Sequence, residues 1–224
     1  MGGPALDRMR AQIEVWDAMG DGRAVFLDCY SRMTEAVAAA IAADRFVDAA
    51  WVSALVDRFA GYYFDSIDGG DQQVPVPEPW VLAHAAAVGN DASALQLLLA
   101  GVNAHINYDL VLTLVDLLGP EWHELDAARR AERRADYEVV NRIIVETADL
   151  VQDEVLERRA PALDIVDRAL GRWDERAATR LLTAWRTRVW RDAMELLDEN
   201  DERRAEHVAH IERVCARRAR WLLL

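Results

Sequence analysis

Apolar residues recur every three or four positions along most of this chain, which is the spacing of an amphipathic α-helix. The pattern predicts helices over residues 4–19, 23–43, 48–64, 80–88, 92–118, 136–159, 161–170, 174–197 and 202–221. No alternating β-branched run of strand length is found in the sequence. We therefore expect an all-α fold, with residues 1–224 forming a single domain of about seven to nine helices around a central buried helix.

Glycine and proline mark the predicted breaks between these helices. Gly20-Asp21-Gly22 separates the first two helices, and Gly119-Pro120 ends the central one. The stretch from Gly69-Gly70 to Pro79 is predicted to be irregular, because three prolines within it exclude a continuous helix. The charged segment 121–134 is predicted to be a solvated helix face that precedes the helix at 136.

Four polar residues interrupt the apolar pattern of the central helix. They are Asn103, His105, Asn107 and Asp109, within the motif Gly101-Val-Asn-Ala-His-Ile-Asn-Tyr-Asp-Leu110. At about 100° per residue the two asparagines share one side, and the histidine and aspartate share a side roughly opposite. Burying such groups without partners costs on the order of 1–3 kcal/mol each. We therefore expect each of the four side chains either to have a hydrogen-bond partner or to take part in the chemistry of a site.

The spacing of His105 and Asp109 makes their side chains neighbours on a helix, and three uses fit that pair. Asp109 can orient His105 as a general acid or base. Both residues can bind one divalent metal ion. The third use is structural, as a buried polar pair that holds helices together. The spacing alone leaves all three open.

The asparagine side offers amide donors and acceptors that suit a neighbouring backbone or a ligand carbonyl. Asp136 and Asn141 are the predicted partners of Asn103 and Asn107. Aromatic and imidazole side chains are candidates for the pocket and its substrate contacts, namely Tyr63, Trp80, His84 and Tyr108.

Composition narrows the possible functions. The net charge of −13 argues against non-specific nucleic-acid binding, and no run reaches the roughly 18 apolar residues of a membrane span. The N-terminus lacks a signal-peptide pattern, so we expect a cytoplasmic protein, with Cys29 and Cys215 as buried free thiols. All 26 basic residues are arginine, which suggests a GC-rich bacterial genome and excludes a lysine Schiff base.

The central motif resembles the hallmark of an uncharacterised, largely bacterial family, a domain of unknown function with an Asn-Ala-His-Ile-Asn-x-Asp-Leu core. The flanking similarities are Phe59-Ala-x-Tyr62, Trp80, Asp136-Tyr-x-x-Val-Asn141 and the helix 185–193, within a family-like core of about 26–197. The resemblance implies an all-helical domain and no established activity. More remotely, His105-x-x-x-Asp109 is similar to zinc-dependent phospholipases C and single-strand nucleases, but this chain lacks their additional histidines and N-terminal tryptophan.

These observations predict an enzyme that acts on a small, mostly apolar molecule by acid–base chemistry, such as cyclisation, isomerisation or hydrolysis. His105 would move the proton, Asp109 would orient it, and Asn103 or Asn107 would hold a substrate oxygen. One alternative is a metal-dependent hydrolase with His105 and Asp109 as ligands. Another is a non-catalytic ligand-binding or scaffold bundle. No cofactor is predicted, a divalent metal is compatible with the pair, and the oligomeric state is left open.

Overall fold

The structure is a computed structural model that describes residues 3–72, 75–89, 91–159 and 175–224. Within these ranges it contains eight helices and no strand, which confirms the expected all-α bundle. The helices are α1 Pro4–Met19, α2 Arg23–Ala42, α3 Ala49–Gln72, α4 Glu78–Val88, α5 Ala94–Leu118, α6 Ala127–Arg159, α7 Glu175–Asp198 and α8 Asp201–Leu222.

Helix α5 is the central element, and α2, α3, α4, α7 and α8 pack around it. Its composition explains this position, since it is the one described helix long and apolar enough to cross a membrane. Within the protein, however, 78% of its most apolar window is already buried. Two clusters of buried side chains flank it, one around Phe26, Tyr63 and Trp80 and the other around Leu114 and Tyr137.

The start of α5 is set by a capping box. Ser93 is the N-cap, its hydroxyl accepts from the backbone N–H of Gln96, and the Gln96 side chain accepts from the Ser93 backbone. Two of the backbone donors that every helix start leaves open are satisfied in this way. The helix therefore begins at Ala94, two residues after the predicted start at 92.

The prediction of an irregular segment from Gly69 to Pro79 is wrong at both ends. Helix α3 continues through Gly69-Gly70 to Gln72, and Pro79 lies in the first turn of α4. Gly69 is buried, so packing offsets the weak helix propensity of glycine, which is about 1 kcal/mol relative to alanine. A first-turn proline loses no intrahelical hydrogen bond, which explains why Pro79 is accommodated there.

Residues 127–134 of the charged segment form one helix with the amphipathic segment after it, whereas residues 121–126 are not helical, so that part of the predicted helix face is wrong. Helix α6 runs unbroken over 33 residues, so the predicted boundary at 136 is wrong. Charged residues on its exposed turns do not interrupt helical backbone, since arginine and glutamate both favour helix. The predicted short helix at 161–170 lies outside the described residues. Both cysteines are buried and free, as expected.

Candidate functional site

The central motif contains a π-helical turn. Residues His105–Asp109 form this turn, and the backbone N–H of Leu110 donates to the carbonyl oxygen of His105 five positions earlier. All five side chains of the turn are buried. The hydroxyl of Thr113 donates to the Asp109 carbonyl at 2.8 Å, which satisfies one backbone acceptor of the widened turn. Such turns are rare and recur at functional sites, so the sequence-predicted site coincides with an unusual backbone feature.

His105 and Asp109 form a buried hydrogen bond within this turn. His105 Nδ1 lies 2.9 Å from Asp109 Oδ2, and Trp80 Nε1 donates to the same oxygen at 2.9 Å. Because indole N–H can only donate, Oδ2 acts as an acceptor. With Asp109 ionised, the imidazole proton is assigned to Nδ1, which leaves a lone pair on Nε2.

Aromatic rings surround the imidazole of His105. It stacks on Phe59 with a centroid distance of 3.5 Å and an interplanar angle of 8°. Tyr30 packs edge-on at 4.3 Å, and Phe26 does so at 5.6 Å. These contacts leave His105 only 2% exposed. The ring orientation is therefore fixed by packing as well as by the bond to Asp109.

The glycine at the start of the motif permits this packing. A Cβ atom added at Gly101 would lie 2.5 Å from Cγ of Phe26, far inside van der Waals contact. Any larger residue would push α2 and its Phe26 ring away from α5. Gly101 therefore allows the close helix contact that brings Phe26 against His105.

Burial controls the protonation of the pair. It lowers the pKa of His105 well below its usual value, and the positive charge of Arg186 lowers it further. It raises the pKa of Asp109 well above its usual value, against the opposing effect of the Trp80 hydrogen bond. His105 is consequently neutral at neutral pH, with Nε2 able to accept a proton.

A cavity of about 140 Å³ lies between α2, α3, α5, α6 and α7, and His105 forms part of its wall. Nε2 of His105 is buried and has no hydrogen-bond partner among the residues that the structure describes. The wall is otherwise mostly aliphatic and aromatic, with members such as Phe26, Tyr30, Phe59, Leu98 and Val102. An engineered apolar cavity of about 150 Å³ binds benzene, so this space suits a ligand of that size.

The two asparagines of the motif face a different part of the protein. Asn103 Nδ2 donates to the Cys215 carbonyl of α8 at 3.0 Å. Its Oδ1 accepts from Arg218 at 3.1 Å and from Asn107 Nδ2 at 3.4 Å. Asn107 borders a second concavity, which α7 and α8 line. The amides therefore connect α5 to α8.

The predicted partners of these asparagines are wrong. Asp136 instead accepts from the backbone N–H groups of Val47 and Asp48, at 2.8 Å each. Asn141 accepts from Nε of Arg186. Asp136 and Asn141 lie inside α6, and the sequence pattern carries no information on which helix covers the asparagine side of α5.

The other predicted substrate contacts lie behind the cavity wall or apart from it. Tyr63 and Trp80 are buried in the layer of rings next to His105, at 6.0 Å from it. His84 stacks on Trp80 at 5.1 Å and its Nε2 lies 3.1 Å from the Ser66 hydroxyl. Tyr108 is buried in the other cluster of the core. Among the nine residues that the sequence nominated, His105 alone is part of the described cavity wall.

Arg186 is the residue that sequence reasoning missed. It is 2% exposed and lines the cavity. It lies four positions after Leu182 and three before Val189, on the apolar stripe of α7. A charged residue on such a stripe is the signal that identifies it, because arginine is almost never buried without a partner.

No group of three or more metal-binding side chains is found within the described ranges of the chain. His123 and His210 are exposed, and His207 is half-buried and contacts Glu199 at 3.2 Å. The geometry thus brings no third protein ligand from the described residues to His105 and Asp109.

Comparison with curated proteins and with solved structures finds no match for this chain. A family model described as "Family of unknown function (DUF5995)" matches residues 4–224. The match extends beyond the expected core of 26–197 at both ends and includes every helix described above. The chain therefore belongs to this family of unknown function.

Proposed function

We propose that this protein is an enzyme that acts on a small, mostly apolar molecule in the cavity, with His105 as general base. The observation that carries the proposal is the buried Nε2 atom of His105, which has no hydrogen-bond partner in the described part of the chain. A buried acceptor without a partner costs about 1–3 kcal/mol. A substrate proton donor in the cavity would supply the missing partner.

The bond to Asp109 leaves Nε2 as the ring atom that can take up a proton, although burial and the charge of Arg186 lower the pKa of the imidazole. Asp109 holds the proton on Nδ1, so the lone pair of Nε2 is available. When Nε2 takes a proton, the imidazolium and the Asp109 carboxylate form a buried pair without net charge. That state is easier to bury than a lone carboxylate, which supports a role in isomerisation, cyclisation or hydrolysis.

A non-catalytic ligand-binding bundle is the second candidate function. The apolar wall of the cavity favours it, because such a wall binds a ligand whether or not any bond is changed. The motif residues would then fix packing only. The asparagine contacts to α8 are compatible with either function. The cytoplasmic location and the bacterial origin stay predictions from the sequence.

Conversion of a panel of small ketones, esters and alkenes distinguishes the two functions. Each compound is incubated with wild type, His105→Gln and His210→Gln, and products are followed by NMR. His210 is exposed, so His210→Gln is the matched control. We expect conversion by wild type and by the control, and a loss of about 100-fold or more in His105→Gln. Undiminished conversion by His105→Gln contradicts the proposal, and binding without conversion by any variant favours the non-catalytic bundle.

A further inference from the structure

Arg186 is a buried cation in a mostly apolar cavity wall. It is among the largest fully buried side chains of the protein. Its position on α7 places it in the same wall as His105, and its charge lowers the pKa of that histidine. The two residues therefore line the same cavity.

The protein contacts of Arg186 orient the guanidinium without neutralising it. Nε donates to the Asn141 side chain, and the guanidinium carbon lies 5.4 Å from the centre of the Tyr137 ring. The Tyr137 hydroxyl donates to the backbone carbonyl of Arg186 at 2.8 Å, which fixes this turn of α7. No carboxylate of the described residues forms an ion pair with Arg186.

A buried guanidinium without a counterion is unfavourable. Burial lowers the pKa of Arg186, and the nearby tyrosines only partly oppose this. Arginine nevertheless remains protonated in proteins, so the charge persists. An anion in the cavity would compensate for its lost hydration. A carboxylate is suited to this role because it matches the planar donor geometry of the guanidinium.

We propose that Arg186 binds the carboxylate of the ligand, and that the ligand is an apolar monocarboxylate of the size of an aromatic or six-carbon acid. This inference rests on the proposed function in one respect, that the ligand occupies the cavity beside His105. The size follows from the cavity volume of about 140 Å³. The apolar lining accounts for the remainder of the molecule, and Asn141 positions the guanidinium.

Three ligands of nearly the same shape and different charge test the inference. They are benzoate, benzamide and benzamidinium, and their affinities for the wild-type protein are measured by titration calorimetry at neutral pH. We expect benzoate to bind at least about tenfold more tightly than benzamide, since hydrogen bonds to charged groups contribute this much. Benzamidinium should bind most weakly because Arg186 repels it.

Two variants assign the preference to the residue. Arg186→Met should lose the preference for benzoate over benzamide. Arg188→Met removes an exposed arginine from the same helix and should keep the preference. The comparison of the three ligand affinities for wild type does not depend on either variant. The inference can therefore still be tested if a variant fails to fold.

Each alternative outcome has a separate meaning. Equal affinities of benzoate and benzamide for wild type overturn the role of Arg186 and leave the general-base proposal intact. A benzoate preference that survives in Arg186→Met also overturns it. Absence of binding by all three ligands overturns the cavity as a ligand site, and the inference fails with it. If wild type prefers benzoate and the His105→Gln variant keeps full turnover, the role of Arg186 is supported. Only the role of His105 as general base is then contradicted.

Discussion

The two sides of the central motif differ in how completely their polar atoms are bonded. On the asparagine side, both polar atoms of the Asn103 amide have partners, on α8 and within α5. On the histidine side, one ring nitrogen of His105 is bonded to Asp109 and the other has no partner among the described residues. Both sides are buried to the same degree.

This difference is the basis for proposing a structural role for the asparagine side and a functional role for the histidine side. A buried polar group with all its hydrogen-bond partners stabilises the packing that surrounds it. Removing such a group leaves its former partners buried without a hydrogen bond, and each of them then lowers the stability of the protein. A buried group without a partner lowers stability, and a ligand that bonds to it would offset this cost. Burial alone would not have distinguished the two sides, because it is common to both.

Removal of the Asn103 amide should have the largest effect on stability. Asn103→Ala deprives the Cys215 carbonyl and the Arg218 guanidinium of their partners, so we expect the free energy of unfolding to fall by roughly 2–3 kcal/mol. Urea unfolding measures this change. Asn200→Ala is the control, because Asn200 is an exposed N-cap and should cost only about 1 kcal/mol. A smaller loss for Asn103→Ala than for the control would mean that the asparagine side is not a structural contact.

Acidification should lower the free energy of unfolding through His84, which stacks on Trp80 next to the histidine side. Burial, together with the charge of Arg23 and against that of Asp21, lowers the pKa of His84 to about 4. The unfolded chain therefore binds more protons than the folded one between that pKa and about 6.5. The stability that neutral His84 contributes is present above about pH 6.5 and is lost as the pH falls towards 4. One unit of pKa shift corresponds to about 1.36 kcal/mol, and partial exposure of His84 reduces the expected total loss to roughly 2 kcal/mol.

Comparison of wild type with His84→Gln isolates this contribution, because all other titrating groups are shared. The difference in unfolding free energy between the two proteins should shrink on acidification. A difference that stays constant between about pH 6.5 and 4 would show that His84 titrates normally behind Trp80.

Enlargement of Gly101 should disturb the contact between α2 and the histidine side. Gly101→Ala forces the added Cβ against Phe26, and such overpacking costs about 1–3 kcal/mol, partly offset by the better helix propensity of alanine. We expect a net loss of about 1 kcal/mol in thermal unfolding. Gly61→Ala is the matched control, since its Cβ would meet only the end of the Arg58 side chain at 3.8 Å. The control should be neutral or stabilising, and equal behaviour of both variants would contradict the close-approach role of Gly101.

Substitution of His105 should have the smallest effect on stability, although it has the largest expected effect on turnover. His105→Gln can still donate to Asp109, and its second amide atom takes the place of Nε2 as the unpartnered polar group, so the number of hydrogen bonds to Asp109 is kept. We expect a change of about 1 kcal/mol or less in urea unfolding. A loss as large as that of Asn103→Ala would mean that the His105–Asp109 pair is chiefly structural.

Local patterning predicted the helices well because each needs only its own apolar stripe. Where packing decides, the sequence prediction failed: Gly69 is helical because neighbours bury it, and α6 has no break at 136. The His105–Asp109 contact was predictable because both residues lie on one helix, four positions apart. The contacts of Asn103 with Cys215 and of Asn141 with Arg186 were not, because they join helices far apart in the sequence.

The nitrogen NMR signals of His105 test the central claim most directly. Protein with ¹⁵N-labelled histidine is titrated from about pH 6 to about pH 8, where an ordinary histidine changes its charge. The His105 signals are identified by their loss in His105→Gln. We predict a protonated Nδ1 and an unprotonated Nε2 throughout this range, because the pKa of His105 is lowered by burial. A protonated Nε2 at neutral pH would contradict His105 as the general base.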